Sequence, residues 1–154
     1  AKDLGINTAM ESMGYAKYPV IESILPYLDT YLMDIKHMNA NKHEEWCGQK
    51  NTLMIENARK IAQSGKVRLI IRVPVIPGFN DTPEEIEDIA RFAATLPGVE
   101  EIDLLPYHNF GEGKYAGLGR DYLMKDAQRP SDDKMRMLSD AARSAGGLRI
   151  QIGG

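Results

Sequence analysis

Thiols are nearly missing from this chain: Cys47 is the only cysteine among 154 residues. No intrachain disulfide can form, which suits a reducing, cytoplasmic setting. One thiolate can hold neither a structural zinc nor an iron–sulfur cluster by itself. Long apolar runs are missing too; none approaches the ~18 residues of a membrane span. An excess of one charge is also absent. Lys and Arg number 19 against 22 Asp and Glu, the signs are mixed, and the net charge is −3. That balance does not indicate a nucleic-acid surface. Histidine is scarce, and His37 and His43, with no second ligand at metal spacing, read as surface residues. Ala1 to Gly5 reads as a last helical turn closed by a C′ glycine, which raises the expectation of a fragment of a longer chain.

What is present is enough for a core. With 43% apolar residues, residues 1–154 are expected to form a single α/β domain. Strands are predicted at Ile6–Glu11, Asp29–Lys36, Val67–Val75, Glu100–Leu105 and Leu148–Ile152. Helices are predicted between them: Tyr18–Leu25, a short turn from Asn41 as cap through Trp46, a helix from Thr52 as cap to Gln63, and a final one from Ser131. The clearest is Thr82-Pro83-Glu84-Glu85, a capping box followed by Ile86, Ile89, Ala93 and Leu96 at helical spacing. Alternating strand and helix argue for a parallel sheet of about five strands with right-handed crossovers. Periodicity leaves a flat doubly wound sheet and an arc of a βα barrel both open.

Candidate chemistry falls at the carboxyl ends of the strands, where α/β sheets build their sites. Pro106 ends a strand ladder; His108 follows as a ligand-contact candidate, and Gly111, Gly113 and Gly117 open a long loop. Asp34 and Lys36, two apart on a strand, share a face. They can grip a polar cofactor, or Lys36 can act as a Schiff-base nucleophile; a simple ion pair is the plainer alternative. Arg72 within its strand needs an anion. Glu11 and Ser12 end the first strand beside Gly14, which lets backbone approach a ligand closely. Together these residues would ring one pocket. By contrast, Met10, Met13, Met33 and Met38 read as packing, Glu84, Glu85, Glu87 and Asp88 as a solvated helix start, and Cys47 as a thiol with no activating base nearby.

Four segments carry a resemblance: Gly5-Ile6-Asn7-Thr8-Ala9-Met10-Glu11-Ser12-Met13-Gly14-Tyr15, Leu32-Met33-Asp34-Ile35-Lys36-His37-Met38-Asn39, Ile71 through Asp81 with its Val75-Ile76-Pro77-Gly78 turn, and Leu104-Leu105-Pro106-Tyr107-His108 through Gly119. In this order they resemble the carboxyl-terminal part of the glycyl-radical enzyme activating enzymes, of which the pyruvate formate-lyase activating enzyme is the best-known kind. These belong to the radical S-adenosylmethionine superfamily. The resemblance implies the later strands of a partial, TIM-like βα barrel of six strands. It implies that Glu11 and Ser12 lie near the methionine part of S-adenosylmethionine, Asp34 and Lys36 near its ribose and carboxylate, and Arg72 and His108 around the same cofactor. It also implies a four-iron four-sulfur cluster, a glycyl-radical enzyme as protein substrate and an electron donor such as flavodoxin. The cofactor carries the hard chemistry and the protein positions it.

This chain departs from the family in lacking the Cys-x-x-x-Cys-x-x-Cys cluster motif and the Gly-Gly-Glu motif, so by itself it is expected to be inactive. Glu11 also stands where the best-known member has Asp. Two other readings compete: a βα-barrel decarboxylase or aldolase using Asp34 and Lys36, weakened because Asn39 stands at its third acidic position, and a non-catalytic binding module. A first strand without an earlier neighbour would leave an open edge and uncover Leu32, Ile70 and Leu104 or their strand neighbours, favouring self-association.

Overall fold

A computed structural model describes residues 1–153. Five strands form one sheet: β1 (Ala9–Ser12), β2 (Thr30–Asp34), β3 (Arg68–Val75), β4 (Glu101–Pro106) and β5 (Arg149–Ile152). Every neighbouring pair is parallel, and the strand order follows the chain. A doubly wound sheet needs a point where the order reverses; here there is none. Right-handed crossovers without reversal place all connecting helices on one face. The sheet is therefore an arc of a βα barrel.

Register separates the two faces. On the helix side lie Tyr31 and Met33 of β2, Leu69, Ile71, Val73 and Val75 of β3, Ile102 and Leu104 of β4, and Ile150 of β5, all buried. They meet α1 (Tyr18–Ile24), α3 (Thr52–Ser64), α4 (Pro83–Ala94) and α6 (Asp132–Gly146) in one apolar cluster. The opposite face carries Glu11, Leu32, Asp34, Ile70, Arg72, Glu101 and Asp103, which alternation turns away from the helices. Leu32 and Ile70 belong to this face, but Leu104 does not: it is completely buried under the helices, and its neighbours Asp103 and Leu105 take the open side. Where α4 and α6 meet, Gly146 leaves no room for a side chain, since a Cβ there would sit 2.9 Å from the Ala90 carbonyl oxygen.

Several boundaries differ from the sequence reading. β1 begins at Ala9, not Ile6, because the Thr8 N–H and hydroxyl are drawn to the Asp29 carboxylate just before β2. α2 (Ala40–Cys47) is capped by Asn39, whose side chain accepts from the Asn41 and Lys42 N–H groups, so Asn41 is inside the helix rather than its cap. α3 has Asn51, not Thr52, at its N-cap position, and the Asn51 side chain serves another purpose described below. The glycine-rich stretch after β4 includes a short helix, α5 (Glu112–Gly117). Thr82 does cap α4, accepting from the Glu85 N–H. Pairing of β3 with β2 ends at Arg72, two residues before Pro74, so the missing proline N–H interrupts no bond to β2. No described helix is long and apolar enough to cross a membrane.

Candidate functional site: a charge cluster at the strand ends

Three strand ends bring Glu11, Asp34 and Arg72 together on the open face. Asp34 and Arg72 are register partners on β2 and β3. Arg72 Nε donates to Asp34 Oδ1 at 3.2 Å, and its Nη2 lies 3.2 Å from the same oxygen and also pairs with Glu11 Oε1 across β2. Lys36, two residues past Asp34, places Nζ 3.2 Å from Asp34 Oδ2. The Arg72 side chain is only 12% exposed, whereas that of Glu11 is 60% exposed. The bond from Arg72 holds the Glu11 carboxyl below its ordinary pKa. The cluster thus offers two carboxylates and two cations side by side, half-sheltered, at the carboxyl ends of parallel strands.

The other two candidates stand apart from it. Ser12 alternates to the helix side, where its Oγ accepts from the Gly14 N–H at 3.1 Å. Gly14 itself approaches Met33 rather than open space, because a Cβ there would be 2.9 Å from the Met33 methyl group. His108 follows β4, its ring tilted 36° to that of Phe110 with centroids 4.3 Å apart. It lines a separate cleft of about 560 Å³ with Tyr107, Lys125 and Arg129. Beside it the Tyr107 and Tyr122 hydroxyls are 2.6 Å apart, and desolvation together with that contact pushes the Tyr107 phenol up to about 12.

Behind Lys36 lies a buried layer that the sequence reading missed. His37 and His43 are not surface residues; they are 4% and 1% exposed. Nor is Glu85 a solvated helix-start residue: it is buried, accepts the Met38 N–H at 2.5 Å and sits 2.8 Å from His37 Nδ1. His37 Nδ1 also accepts from the Asn39 N–H, which favours the unprotonated nitrogen and, with it, a proton on Glu85 shared into the same lone pair. Burial acts in the same direction, lowering His37 to about 4 and raising Glu85 to about 7. His43 Nδ1 is bonded to the Gln49 carbonyl at 2.6 Å. Asn80 donates to the Lys36 and Pro74 carbonyls, tying the ends of β2 and β3 together, while Asn51 donates to the His37 and Met38 carbonyls. Asp103, in register with Arg72 on its other flank, is buried as well. Cys47 is half-buried, and desolvation raises its thiol pKa. Among the described residues no group of three His, Cys, Asp or Glu could hold a metal ion.

No family model matches the chain. Its fold is that of a radical S-adenosylmethionine domain with a partial TIM-barrel sheet: a domain of the pyruvate-formate lyase-activating enzyme from Bacteroides vulgatus ATCC 8482 superimposes with a TM-score of 0.79 at 27% identity, over 99% of this chain and 84% of that one. Its sequence relatives are activating enzymes. The 4-hydroxyphenylacetate decarboxylase activating enzyme of Clostridioides difficile (strain CD196) is 38% identical over 90% of this chain, and the choline trimethylamine-lyase activating enzyme of Oleidesulfovibrio alaskensis is 34% identical over 92%. The chain is thus a homologue of glycyl-radical enzyme activating enzymes along nine-tenths of its length. It spans less than half the length of those curated relatives, 44% and 46%.

Proposed function

We propose that residues 1–154 form one α/β unit that supplies the later-strand half of an S-adenosylmethionine pocket in an enzyme that installs a glycyl radical on a partner protein. The observation that carries this reading is the Glu11–Arg72–Asp34–Lys36 cluster at the strand ends. Its chemistry matches the ligand: Lys36 can face the α-carboxylate, while Asp34 and Glu11 can accept from the α-ammonium and the ribose hydroxyls once Arg72 releases them. Asn80 fixes the Lys36 backbone against β3, so Lys36 is held in place before a ligand arrives. His108 would join from the far side of β4, and Ser12 would act through the Gly14 turn.

S-adenosylmethionine held in such a pocket would supply hydrogen-abstracting radical chemistry toward the partner's glycine. An iron–sulfur cluster does not fit this chain, whose single thiol is half-buried and shifted away from thiolate. The protein substrate would be a glycyl-radical enzyme, with an electron donor of the flavodoxin kind, in a reducing cytoplasm. β1 pairs on one side only, which supports weak self-association through that edge; light scattering at rising concentration would measure it, and a strict monomer would dismiss it.

The test is a titration of the ¹⁵N-labelled chain with S-adenosylmethionine. Expected are shifts at Glu11, Asp34, Lys36, Arg72 and His108, an affinity weaker than micromolar because half the ring is missing, and further weakening in Lys36→Ala. Millimolar ligand that leaves these residues unmoved, or that binds elsewhere, rejects the reading.

A further inference from the structure

The layer of side chains that contains Arg72 runs across four strands: Asp34 on β2, Arg72 on β3, Asp103 on β4 and Gln151 on β5 are successive register partners. Arg72 therefore has a carboxylate on each flank. Adjacent strands lie about 4.8 Å apart, so either is within reach of a long guanidinium side chain. The two flanks are used differently. Toward β2, Arg72 bonds Asp34 and Glu11. Toward β4, Asp103 is 6% exposed, and its Oδ1 is buried with no hydrogen-bond partner.

An unpartnered buried carboxyl oxygen is costly, and the other cations nearby are committed. Arg68 and Arg149 both pair with Glu101, one residue position lower on the same face. Desolvation, and then the charge of Glu101, push the Asp103 carboxyl above its ordinary pKa. Its register partners Arg72 and Gln151 are the remaining neighbours able to donate to it, and of the two only Arg72 carries a charge.

We infer that Asp103 is a second seat for the Arg72 guanidinium, occupied when a ligand's ammonium or hydroxyl groups take Asp34 and Glu11. The same four side chains then serve two states. Empty, Arg72 neutralises the two carboxylates that face solvent. Loaded, it withdraws by one strand, pairs with the buried acid and leaves Asp34 and Glu11 to accept from the ligand. Asp103 is a positioning residue in this scheme, acting through Arg72. The identity of the ligand rests on the proposed function; the second seat does not.

Asp34→Asn in the ligand-free chain tests the seat directly, with Asp34→Ser as the substitute if the amide spectrum shows loss of fold. With its register partner's charge removed and only the exposed Glu11 left on that flank, Arg72 should move to Asp103. The Arg72 Nε–H resonance should shift, and the Asp103 carboxyl, followed by ¹³C NMR, should titrate about 1–3 pH units lower than in the unsubstituted chain, the size expected of a new opposite charge in contact. Adding Asp103→Asn to that variant should abolish the Arg72 shift, whereas Asp103→Asn alone should leave Arg72 where it is. An Asp103 titration unchanged by Asp34→Asn overturns the inference. If Asp34→Asn moves Asp103 but millimolar S-adenosylmethionine on the unsubstituted chain does not, the seat stands and the cofactor reading falls.

Discussion

Two carboxylate–base pairs lie within a few residues of each other and behave in opposite ways. On the open face, Glu11 and Asp34 meet Arg72 as ions, because water still reaches them and the guanidinium cannot give up its proton. Behind Lys36, Glu85 meets His37 out of water, and there the pair holds its proton on the acid. Separation in a low dielectric is too costly when a neutral arrangement with the same hydrogen bonds exists. The difference assigns the two regions different work. The exposed cluster can exchange partners with a ligand, whereas the buried pair clamps the loop that follows Asp34 and Lys36 onto the start of α4.

The largest expected effect breaks the clamp. Glu85→Ala leaves the buried Met38 N–H without its partner and His37 Nδ1 with the Asn39 N–H alone, at a cost of about 2–3 kcal/mol in urea unfolding. A loss below about 1 kcal/mol would mean that water replaces the carboxyl without penalty.

Glu85→Gln sharpens the same point. An amide can accept the Met38 N–H and donate to His37 Nδ1, so it mimics the protonated acid and should fold normally near pH 6. The pH profiles should differ. In the unsubstituted chain between about pH 4.5 and 6.5, the unfolded state holds its proton on His37 and the folded state holds one on Glu85. The counts are equal, so this pair leaves stability flat. Above that window the folded chain keeps a proton the unfolded chain has lost, and stability falls as pH rises through about 7. In Glu85→Gln only His37 titrates. Its folded pKa is lowered, so its contribution is complete above pH 6.5 and is lost as pH falls toward about 4, a swing on the order of 3 kcal/mol. A flat profile for the variant over that range would place the proton on His37 instead.

Much of the arc could be read from residues: β-branched runs marked β3, and Thr82-Pro83-Glu84-Glu85 marked α4 with its cap. The ends of Asp34, Lys36 and Arg72 converged as alternation and strand order required. The clamp and Asp103 escaped for a common physical reason. Helical spacing puts Glu85 in a polar first turn, and its burial is decided by Met38, which lies 47 positions away. Asp103 sits in Glu101-Ile102-Asp103-Leu104-Leu105, where alternation shows two faces but not that the polar one turns into a barrel rather than to bulk water. Buried asparagines left no periodic trace either, because Asn51, Asn57 and Asn80 bind backbone carbonyls contributed by other segments.

Asn80 joins the two regions and should give an intermediate effect. Its side chain donates to the Lys36 and Pro74 carbonyls and accepts from the Ile76 N–H at 2.7 Å. Asn80→Ala removes all three bonds from a fully buried position and should cost about 2 kcal/mol. It should also raise amide exchange at Ile35, whose N–H bonds the Arg72 carbonyl across the same junction. Exchange unchanged at Ile35 would show that β2 and β3 hold their ends without the asparagine.

The smallest effect belongs to Glu11. Its side chain is 60% exposed and sits on the edge strand, so its ion pair with Arg72 is worth no more than about 1 kcal/mol. The pair depresses the Glu11 pKa, chiefly through the bond from Arg72. A depressed acid contributes stability above its unfolded pKa of 4.5 and loses it as pH falls through the folded value. Glu11→Gln should therefore match the unsubstituted chain at low pH and fall slightly below it at pH 7. Molar salt should erase even that gap, because an exposed pair is screened, whereas the loss in Glu85→Ala should persist in the same salt. Equal salt sensitivity in the two variants would remove the distinction between a cluster open to ligand and a clamp closed to water.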